Sequence, residues 1–409
     1  MEPQESKALR HFVTVLSYIL VAAASCVITV VLVLPKLKYY NSYLPLAQPQ
    51  GDVAQAGEKM EELLNIIDTG FIGDADITAM ADAAANAMVE ATGDRWSYYI
   101  STAEMQSYID QKENAYVGIG VTISTEDVSQ GIIVTQVEPK GSAQKAGILP
   151  GDIIVEVEGQ DLRGADINVS KDLIRGEVGT MVTIVVMRGE EKLTFTLERT
   201  LIEADVAYGY MLDGNVGYVA IVNFNEHCAQ QTIALIEKLV AEGAASLLFD
   251  VRFNGGGYKS ELVKVLDYLL PEGKLFHTLD YTGAEEIDSS DASCLKMPMA
   301  VLVNEYSFSA AEFFAAALEE YDWAVTVGER TVGKGYYQIT VPLSDGSTVA
   351  LSIGKYFTPK GVSLAETGGL VPNVEVPLDE ETQTLIYAGL VEPKDDPQIQ
   401  AALKALKAQ

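Results

Sequence analysis

The chain has 409 residues, 48% of them hydrophobic, which is enough for two or three domains with separate cores and excludes a disordered protein. Lys and Arg number 28 against 58 Asp and Glu, a formal charge of -30, so a nucleic-acid partner is disfavoured because phosphate neutralisation needs a basic face. The three cysteines, Cys26, Cys228 and Cys294, lack metal-ligand spacing, which argues against a disulfide framework and a zinc site.

An apolar segment follows a short tail at residues 1–11. Residues 12–34, FVTVLSYILVAAASCVITVVLVL, are 23 positions without a charge. That length crosses about 30 Å of hydrocarbon as a helix and exceeds a typical signal-peptide core. The sequence therefore predicts one transmembrane helix that remains as an uncleaved anchor, followed by a linker at 35–50. Two basic residues on each side balance one another, so charge predicts no orientation.

Residues 51–112 and 113–200 differ in their hydrophobic period. The first stretch has helical spacing in EKMEELLNIID and DITAMADAAANAMVEA, with Asp76 placed to cap the second helix, and predicts a small helical region. The second consists of short β-like runs separated by glycine, such as GIIVTQV, DIIVEVEG and TMVTIVVMRG. It predicts one β-rich module.

A glycine loop opens the β-rich module. Gly118 and Gly120 flank Ile119 in YVGIGVTI, so backbone N–H groups can point at an anion there without interference from side chains. Alone, these glycines would be interpreted as turn residues. Together with AGILPGDIIVEVEG, the loop resembles a bacterial PDZ domain. The resemblance implies that Gly118, Ile119 and Gly120 bind the terminal carboxylate of a peptide that adds as a strand beside the loop.

Residues 201–377 alternate strand and helix signals. VGYVAIVNF, SLLFDV, MAVLVN and AVTVGE are typical of strands, whereas CAQQTIALIEKLVAEG, SELVKVLDYLLPEG and SAAEFFAAALEEY are typical of helices. This succession predicts an α/β core of βαβ units with a largely parallel sheet and with ligands at the carboxyl ends of the strands. Residues 378–409 are interpreted as a C-terminal helical tail.

Three strand ends of this core carry unusual loops. RFNGGGY contains three consecutive glycines, NEYSFSA contains Ser307 and Ser309, and GERTVGKGYYQ contains Lys334 and Gln338. The chain has three histidines, none of them near these serines, so a serine nucleophile here needs another base. A lysine can serve if burial lowers its pKa toward neutrality. The glycine loop would then supply oxyanion-hole amides.

In chain order, DVRFNGGG, NEYSFSAAE, VGERTVGKGYYQ and YFTPKG, after a PDZ module, resemble the carboxy-terminal processing peptidases, also called tail-specific proteases. The resemblance runs from about residue 55 to the C-terminus. It implies that Ser309 is the nucleophile, Lys334 the general base and Gln338 a residue that orients the lysine, with oxyanion amides from Gly256 and Ala310. It further implies a catalytic part on the extracytoplasmic side of a bacterial membrane and no metal or cofactor.

Three positions depart from the family's pattern. Phe308 and Ala311 lie where alternating serine and alanine are common, and Gly255 replaces the proline of Asn-Pro-Gly-Gly. These changes leave the catalytic positions filled, but they bear on substrate fit and loop rigidity. We therefore expect a membrane-anchored serine endopeptidase that acts on proteins or peptides with a free, apolar C-terminus, either alone or as a homo-oligomer. The alternative is a non-catalytic peptide-binding scaffold of the same fold.

Other interpretations apply to single motifs. GERTVGKG, residues 328–335, matches the start of a phosphate-binding P-loop, but Gly335 replaces the Ser or Thr that would bind Mg²⁺ and YQITVPL is typical of a strand, which disfavours a nucleotide site. Ser309 ahead of Glu312 also fits an ordinary helix cap. Arg175 in LIRGEVG resembles an arginine that links the PDZ domain to the protease core in this family, or is a solvated arginine at a helix end.

Overall fold

The computed structural model describes residues 51–124, 129–165 and 167–408. The predicted anchor at 12–34 and the linker at 35–50 lie outside these residues. No helix within the described ranges is both long and apolar enough to cross a membrane. The described residues fall into two compact units, which divide between Ala81 and Asp82.

The described part of the first unit is helical, as predicted. It contains helix α1, Asp52–Gly70, and the start of helix α2, Ile77–Glu90. The Asp76 carboxylate accepts the N–H of Ala79 at 3.0 Å, so this residue caps α2 as expected.

The second unit begins with a strand that the sequence did not predict. Strand β1, Tyr98–Ile100, precedes helix α3, Thr102–Glu113. The prediction that residues 51–112 are only helical is therefore wrong at this strand. Strand β1 is three residues long, and such a short strand leaves no clear alternation in the sequence.

The β-rich module forms a separate sheet around its own core. Strand β2, Ala115–Gly118, pairs antiparallel with β9, Thr200–Glu203, where the chain enters and leaves the module. The main sheet has the order β3-β4-β5-β7-β8, with β6 beside β5. Its elements are β3 Val121–Ile123, β4 Ile132–Val137, helix α4 Ser142–Ala146, β5 Ile153–Val157, β6 Gln160–Asp161, helix α5 Ile167–Ile174, β7 Met181–Arg188 and β8 Glu191–Glu198.

The α/β core has the predicted parallel sheet. Its strands are β10 Ala207–Leu212, β11 Val216–Ile221, β12 Ser246–Asp250, β15 Met299–Val303, β16 Ala324–Gly328 and β19 Val374–Glu375, in the order β10-β11-β12-β15-β16-β19. All neighbours are parallel except β10 and β11. The crossover helices are α6 Cys228–Ala241, α7 Lys259–Leu269 and α8 Ala310–Glu320. Side chains such as Ile236, Leu262 and Phe314 are fully buried in one core cluster with Phe249 of the sheet.

A second, antiparallel sheet completes the core and was not predicted. Its strands are β13 Gly273–Asp280, β14 Glu285–Ser290, β17 Tyr336–Pro342 and β18 Thr348–Phe357, and it has the order β1-β18-β13-β14 with β17 also paired to β18. Strand β1 thus joins a strand about 250 residues later, at Tyr98 opposite Ala350. Strand β17 of this sheet carries Gln338. Through β1, the sheet also brings the segment after α2 next to its other strands.

The C-terminal tail is helical, as predicted, and is tied to the core. After the short core helix α9, Leu364–Thr367, the tail contains helices α10 Glu380–Tyr387 and α11 Pro397–Leu406. Asp396 caps α11 and accepts a hydrogen bond from the buried Arg252 guanidinium at 2.9 Å. Arg252 also pairs with Asp250 at the end of β12. The tail is therefore anchored next to the strand that leads into the glycine loop.

Candidate active site

The loop between β15 and α8 holds Ser309 in an unusual conformation. Its φ of 59° and ψ of -126° are rarely adopted outside glycine, and such strain typically costs about 1–3 kcal/mol. The Ser309 N–H donates to the Glu312 carboxylate at 2.9 Å, so this residue also acts as the predicted helix cap. The buried Ser307 hydroxyl instead donates to the carbonyl of Val251 at 2.8 Å. Ser307 therefore shapes the loop, and Ser309 remains the candidate nucleophile.

The Ser309 hydroxyl contacts a tyrosine. Ser309 Oγ lies 2.8 Å from the Oη atom of Tyr356, which is carried by β18 and is buried. Burial raises the pKa of Tyr356, so the phenol stays protonated at neutral pH. No hydrogen bond joins Ser309 Oγ to Lys334 among the described residues. The nucleophile is thus held toward Tyr356 in this conformation.

Lys334 lies in the loop after β16, against aromatic rings. Its Nζ atom is 4.8 Å from the centre of the Trp96 ring and 5.8 Å from that of Phe308. Burial and, to a lesser extent, the positive charge of Lys112 lower the Lys334 pKa to about 8, although two nearby carboxylates oppose the shift. At pH 7 about one-tenth of such a lysine is neutral. The environment therefore suits Lys334 to act as a base.

A single buried carboxylate joins the two loops. The Oε2 atom of Glu312 accepts the N–H groups of both Ser309 and Lys334, each at 2.9 Å. The backbone nitrogens of these two residues therefore lie within twice that distance of each other. The Oε1 atom accepts the N–H of Gly333 at 2.6 Å and the hydroxyl of Thr331 at 2.5 Å. The structure thus brings the predicted nucleophile and base loops together through Glu312.

The glycine loop lies directly beside the nucleophile. A Cβ atom on Gly256, whose φ is 85°, would be 2.7 Å from Ser309 Cβ and 2.9 Å from the Ala310 nitrogen, so only glycine fits. The Ala310 N–H makes no hydrogen bond within the described part of the chain, as expected for an oxyanion donor. The Gly256 N–H, however, donates to Asn254 Oδ1 at 2.8 Å. For Gly256 to act as the predicted donor, that bond must break.

Gln338 is close to the site but bonds elsewhere. On β17, its Nε2 atom donates to Ser352 Oγ at 2.9 Å and to the carbonyl of Tyr336 at 3.2 Å. The N–H of Ser352 donates in turn to Ser97 Oγ at 3.0 Å. Across the residues that the structure covers, Gln338 makes no hydrogen bond to Lys334. It is linked instead to the segment that carries Trp96.

The predicted peptide-binding loop presents free backbone donors. The Ile119 side chain is buried in the module's core, and its carbonyl accepts the N–H of Ala143 at 2.9 Å. Gly120 has a φ of 79° and packs within contact distance of Gly141. The N–H groups of Ile119 and Gly120 make no hydrogen bond to any residue in the described ranges. Such donors are available to a carboxylate.

Arg175 contacts a helix outside its own module. It lies just beyond α5, and its guanidinium pairs with Asp110 of α3 at 3.1 Å. The same group is 3.5 Å from Ser107 Oγ and lies over the ring of Tyr116. The arginine is therefore not simply a solvated residue at a helix end, and it bridges the β-rich module and α3.

Comparisons with known proteins match two regions of the chain to families. Residues 117–198 match the PDZ domain family, and residues 215–376 match Peptidase family S41. The carboxy-terminal processing protease CtpA of Bacillus subtilis is 30% identical over 327 residues, which cover 79% of this chain and 69% of CtpA. The chain belongs to peptidase family S41. It is a serine protease of the carboxy-terminal processing family with a PDZ domain, as its motifs predicted.

Two further relatives extend the likeness. CtpB of Bacillus subtilis is 27% identical over 337 residues, covering 81% of this chain and 70% of CtpB. A crystal structure assigned to the S41 proteases, from Bacteroides fragilis, matches with a TM-score of 0.51 at 16% identity and covers 88% of this chain and 99% of its own. At that identity the second likeness concerns the fold alone.

Two of the three departures from the family's sequence pattern, Gly255 and Phe308, are in contact. A Cβ atom at Gly255 would lie 2.9 Å from Phe308 Cζ, so the Phe308 ring occupies space that a proline at 255 would need. The ring also packs on Trp96, with 5.9 Å between centroids. Glycine at 255 and phenylalanine at 308 are therefore sterically coupled, and the Phe308 ring covers Lys334.

This coupling predicts a specific double-mutant result. Gly255→Pro alone is expected to lower the free energy of unfolding by about 1–3 kcal/mol, because the new ring overlaps Phe308. In a Phe308→Ala background the same change should cost at least about 1 kcal/mol less. Chemical denaturation of the four proteins measures the coupling. Equal costs in both backgrounds would show that the two positions are independent.

Sequence reasoning missed three residues of the site. Trp96 lies in a segment predicted to be helical, the sequence predicts only a capping role for Glu312, and the YFTPKG motif assigns no role to Tyr356. Helix spacing and loop motifs carry no signal for Trp96 or Tyr356, because each reaches the site by pairing of distant strands. The signal for Glu312 was present, since its capping position places it one turn after Ser309.

Proposed function

We propose that Ser309 and Lys334 form a Ser-Lys dyad that cleaves polypeptides after their C-terminal tail has been recognised. The observation that carries this proposal is that Glu312 holds the backbone of Lys334 close to that of Ser309. The Lys334 side chain lies there in a partly desolvated, aromatic environment. Neutral Lys334 accepts the Ser309 proton as Oγ attacks the peptide carbonyl, and then returns that proton to the leaving amine. Water completes the cycle by hydrolysing the acyl-enzyme.

Two local rearrangements accompany this chemistry. Ser309 Oγ turns from Tyr356 toward Lys334 Nζ, and the amide of Gly256 leaves Asn254 to join Ala310 as an oxyanion donor. Both are changes of side-chain rotamer or of one peptide plane. Gln338 then supports the lysine from β17. This conformation of the chain accordingly corresponds to a resting site.

Substrate selection follows from the PDZ loop. We infer that the free donors of Ile119 and Gly120, together with Gly118, bind the terminal carboxylate of a substrate with an apolar C-terminus.

We also propose a location for the protein. The segment 12–34 anchors the chain in a bacterial cell membrane as a single span, with the catalytic part on the extracytoplasmic side. The support for this placement is the uncharged length of that segment and the family membership.

The test uses one peptide in two forms. The full chain in detergent is incubated with a peptide that ends in small apolar residues and with the same peptide amidated at its C-terminus. Cleavage of the free-acid form at a rate at least about tenfold higher is expected, because the amide removes the charge that the loop would bind. Binding of the acid form without cleavage of either would favour the non-catalytic scaffold.

Arg175 provides a test of communication between the PDZ domain and the core. Because Arg175 joins the module to α3, Arg175→Ala should lower kcat/KM on long, tailed substrates by about three- to tenfold and change short-peptide cleavage little. Arg163→Ala is a matched control, since Arg163 pairs with Asp161 inside the module. Equal losses on both substrate types, or an equal loss in the control, would contradict a coupling role.

A further inference from the structure

Glu312 is buried and has an unusual set of partners. Its side chain is in α8, one turn beyond Ser309, and is 0% exposed. All four groups that donate to it are uncharged, namely the N–H groups of Ser309, Gly333 and Lys334 and the hydroxyl of Thr331. Among the described residues no cation pairs with this carboxylate. Burying a carboxylate charge without a counter-ion costs free energy. This cost indicates that Glu312 does more than cap the helix.

The two carboxylate oxygens of Glu312 have different hydrogen-bond partners. Oε2 bridges the backbone of the nucleophile and the backbone of the base, whereas Oε1 holds Thr331 and Gly333, which precede the base. Thr331 Oγ1 also accepts the N–H of Leu370 at 2.8 Å, which leaves its own proton for Glu312. The carboxylate is therefore the common anchor of the loops after β15 and β16.

We propose that the Glu312 carboxylate is a positioning residue of the S41 reaction in this protein, which sets the distance between Ser309 and Lys334 and works only while ionised. The inference rests on the proposed dyad. An ionised carboxylate accepts all four donors. A protonated acid or an amide would instead direct a hydrogen at one of them, which would push the two loops apart.

The charge of Glu312 should affect the pH dependence of activity, which a purely structural role of this side chain would not. The negative Glu312 and the Asp94 carboxylate raise the pKa of Lys334, while burial and the positive Lys112 lower it. Removing the Glu312 charge should therefore lower the Lys334 pKa further, and the rise of activity with pH should begin at a lower pH. Burial also raises the pKa of Glu312 itself, against the opposing effect of Thr331 and of the three backbone donors. In the wild type, activity should thus also fall on the acid side as Glu312 becomes protonated.

The experiment measures kcat and KM of the full chain from about pH 5 to about pH 10. Glu312→Gln is expected to lower kcat by about 10- to 100-fold, with KM changed little and the pH midpoint moved down. Glu319→Gln is the matched control, because Glu319 is a half-buried carboxylate of the same helix that accepts the hydroxyl of Thr326 away from the dyad. The control should keep the wild-type midpoint. A Glu312→Gln enzyme with wild-type kcat and midpoint would overturn the proposal.

A second pair of variants covers the case in which Glu312→Gln fails to fold. Thr331→Val removes one donor to the carboxylate at nearly constant volume, and Thr331→Ser keeps it. Because the Thr331 bond lowers the Glu312 pKa, the valine variant should lose activity at a higher pH on the acid side, and the serine variant should not. Identical acid limbs in the two variants would contradict the proposal.

The outcomes separate this inference from the dyad on which it rests. Labelling of the wild type, but not of Ser309→Ala, by a fluorophosphonate reports an active nucleophile independently of Glu312. Labelled wild type with an unaffected Glu312→Gln variant would reject only the role of Glu312. Failure of the wild type to be labelled, together with the absence of peptide cleavage, would reject the dyad itself.

Discussion

Ser309→Ala is expected to abolish peptide cleavage, with a loss of at least about 10⁴-fold in kcat, while the protein stays folded. The reaction loses its attacking oxygen, but the backbone bond from Ser309 to Glu312 and the packing beside Gly256 remain. Peptide binding by the PDZ loop should be unchanged. The measurements are cleavage of the free-acid peptide, its binding affinity and the melting temperature.

Ser307→Ala is the informative contrast to this variant. The Ser307 hydroxyl makes buried bonds to Val251 and Asn304, so its loss should lower the melting temperature while part of the activity survives. Substantial turnover by Ser309→Ala would remove Ser309 from the mechanism. Loss of all activity in Ser307→Ala without loss of stability would indicate that Ser307, and not Ser309, is the nucleophile.

Lys334 should control both the rate and its dependence on pH. Lys334→Met is expected to abolish cleavage, because the other basic group of the described site, the Glu312 carboxylate, is already occupied by four hydrogen-bond donors. In the wild type only the neutral lysine accepts the Ser309 proton, so activity should be low below the lysine pKa and rise as the pH passes about 8. A profile of kcat/KM against pH for a short peptide measures this directly.

Lys112 offers a charge control for the same experiment. Its positive charge lowers the Lys334 pKa, so Lys112→Met should move the activity rise to higher pH without abolishing cleavage. Lys334→Arg keeps a charge that cannot be removed in this range and should be as inactive as Lys334→Met. A pH-independent rate between about pH 6 and about pH 10 would contradict a lysine base.

Local sequence patterns predicted most elements correctly. The helices α6, α7 and α8 and the strands β11, β12, β15 and β16 match their hydrophobic periods, and their alternation predicted a parallel sheet. The strand after Gly335 also appears as expected, as β17, which removes the P-loop interpretation. The order of loops and motifs was enough to identify the family.

Other features depend on contacts between distant parts of the chain. The antiparallel sheet pairs β1 with β18, which brings Ser97 to Ser352 and the aromatic ring of Trp96 to Phe308. Nothing in the residues around 96 indicates such partners. The same holds for the contact between Gly255 and Phe308, which are more than 50 positions apart.

The sequence by itself determined which loops carry the candidate chemistry, because helical and strand periods are local and parallel strands place their ends at one edge. Only the tertiary structure decided the state of that site. It directs Ser309 Oγ to Tyr356, covers Lys334 with Trp96 and Phe308, and makes Glu312 the link between the two loops. The physical reason is that desolvation and hydrogen-bond partnership depend on neighbours in space, which the chain acquires only when its sheets have formed.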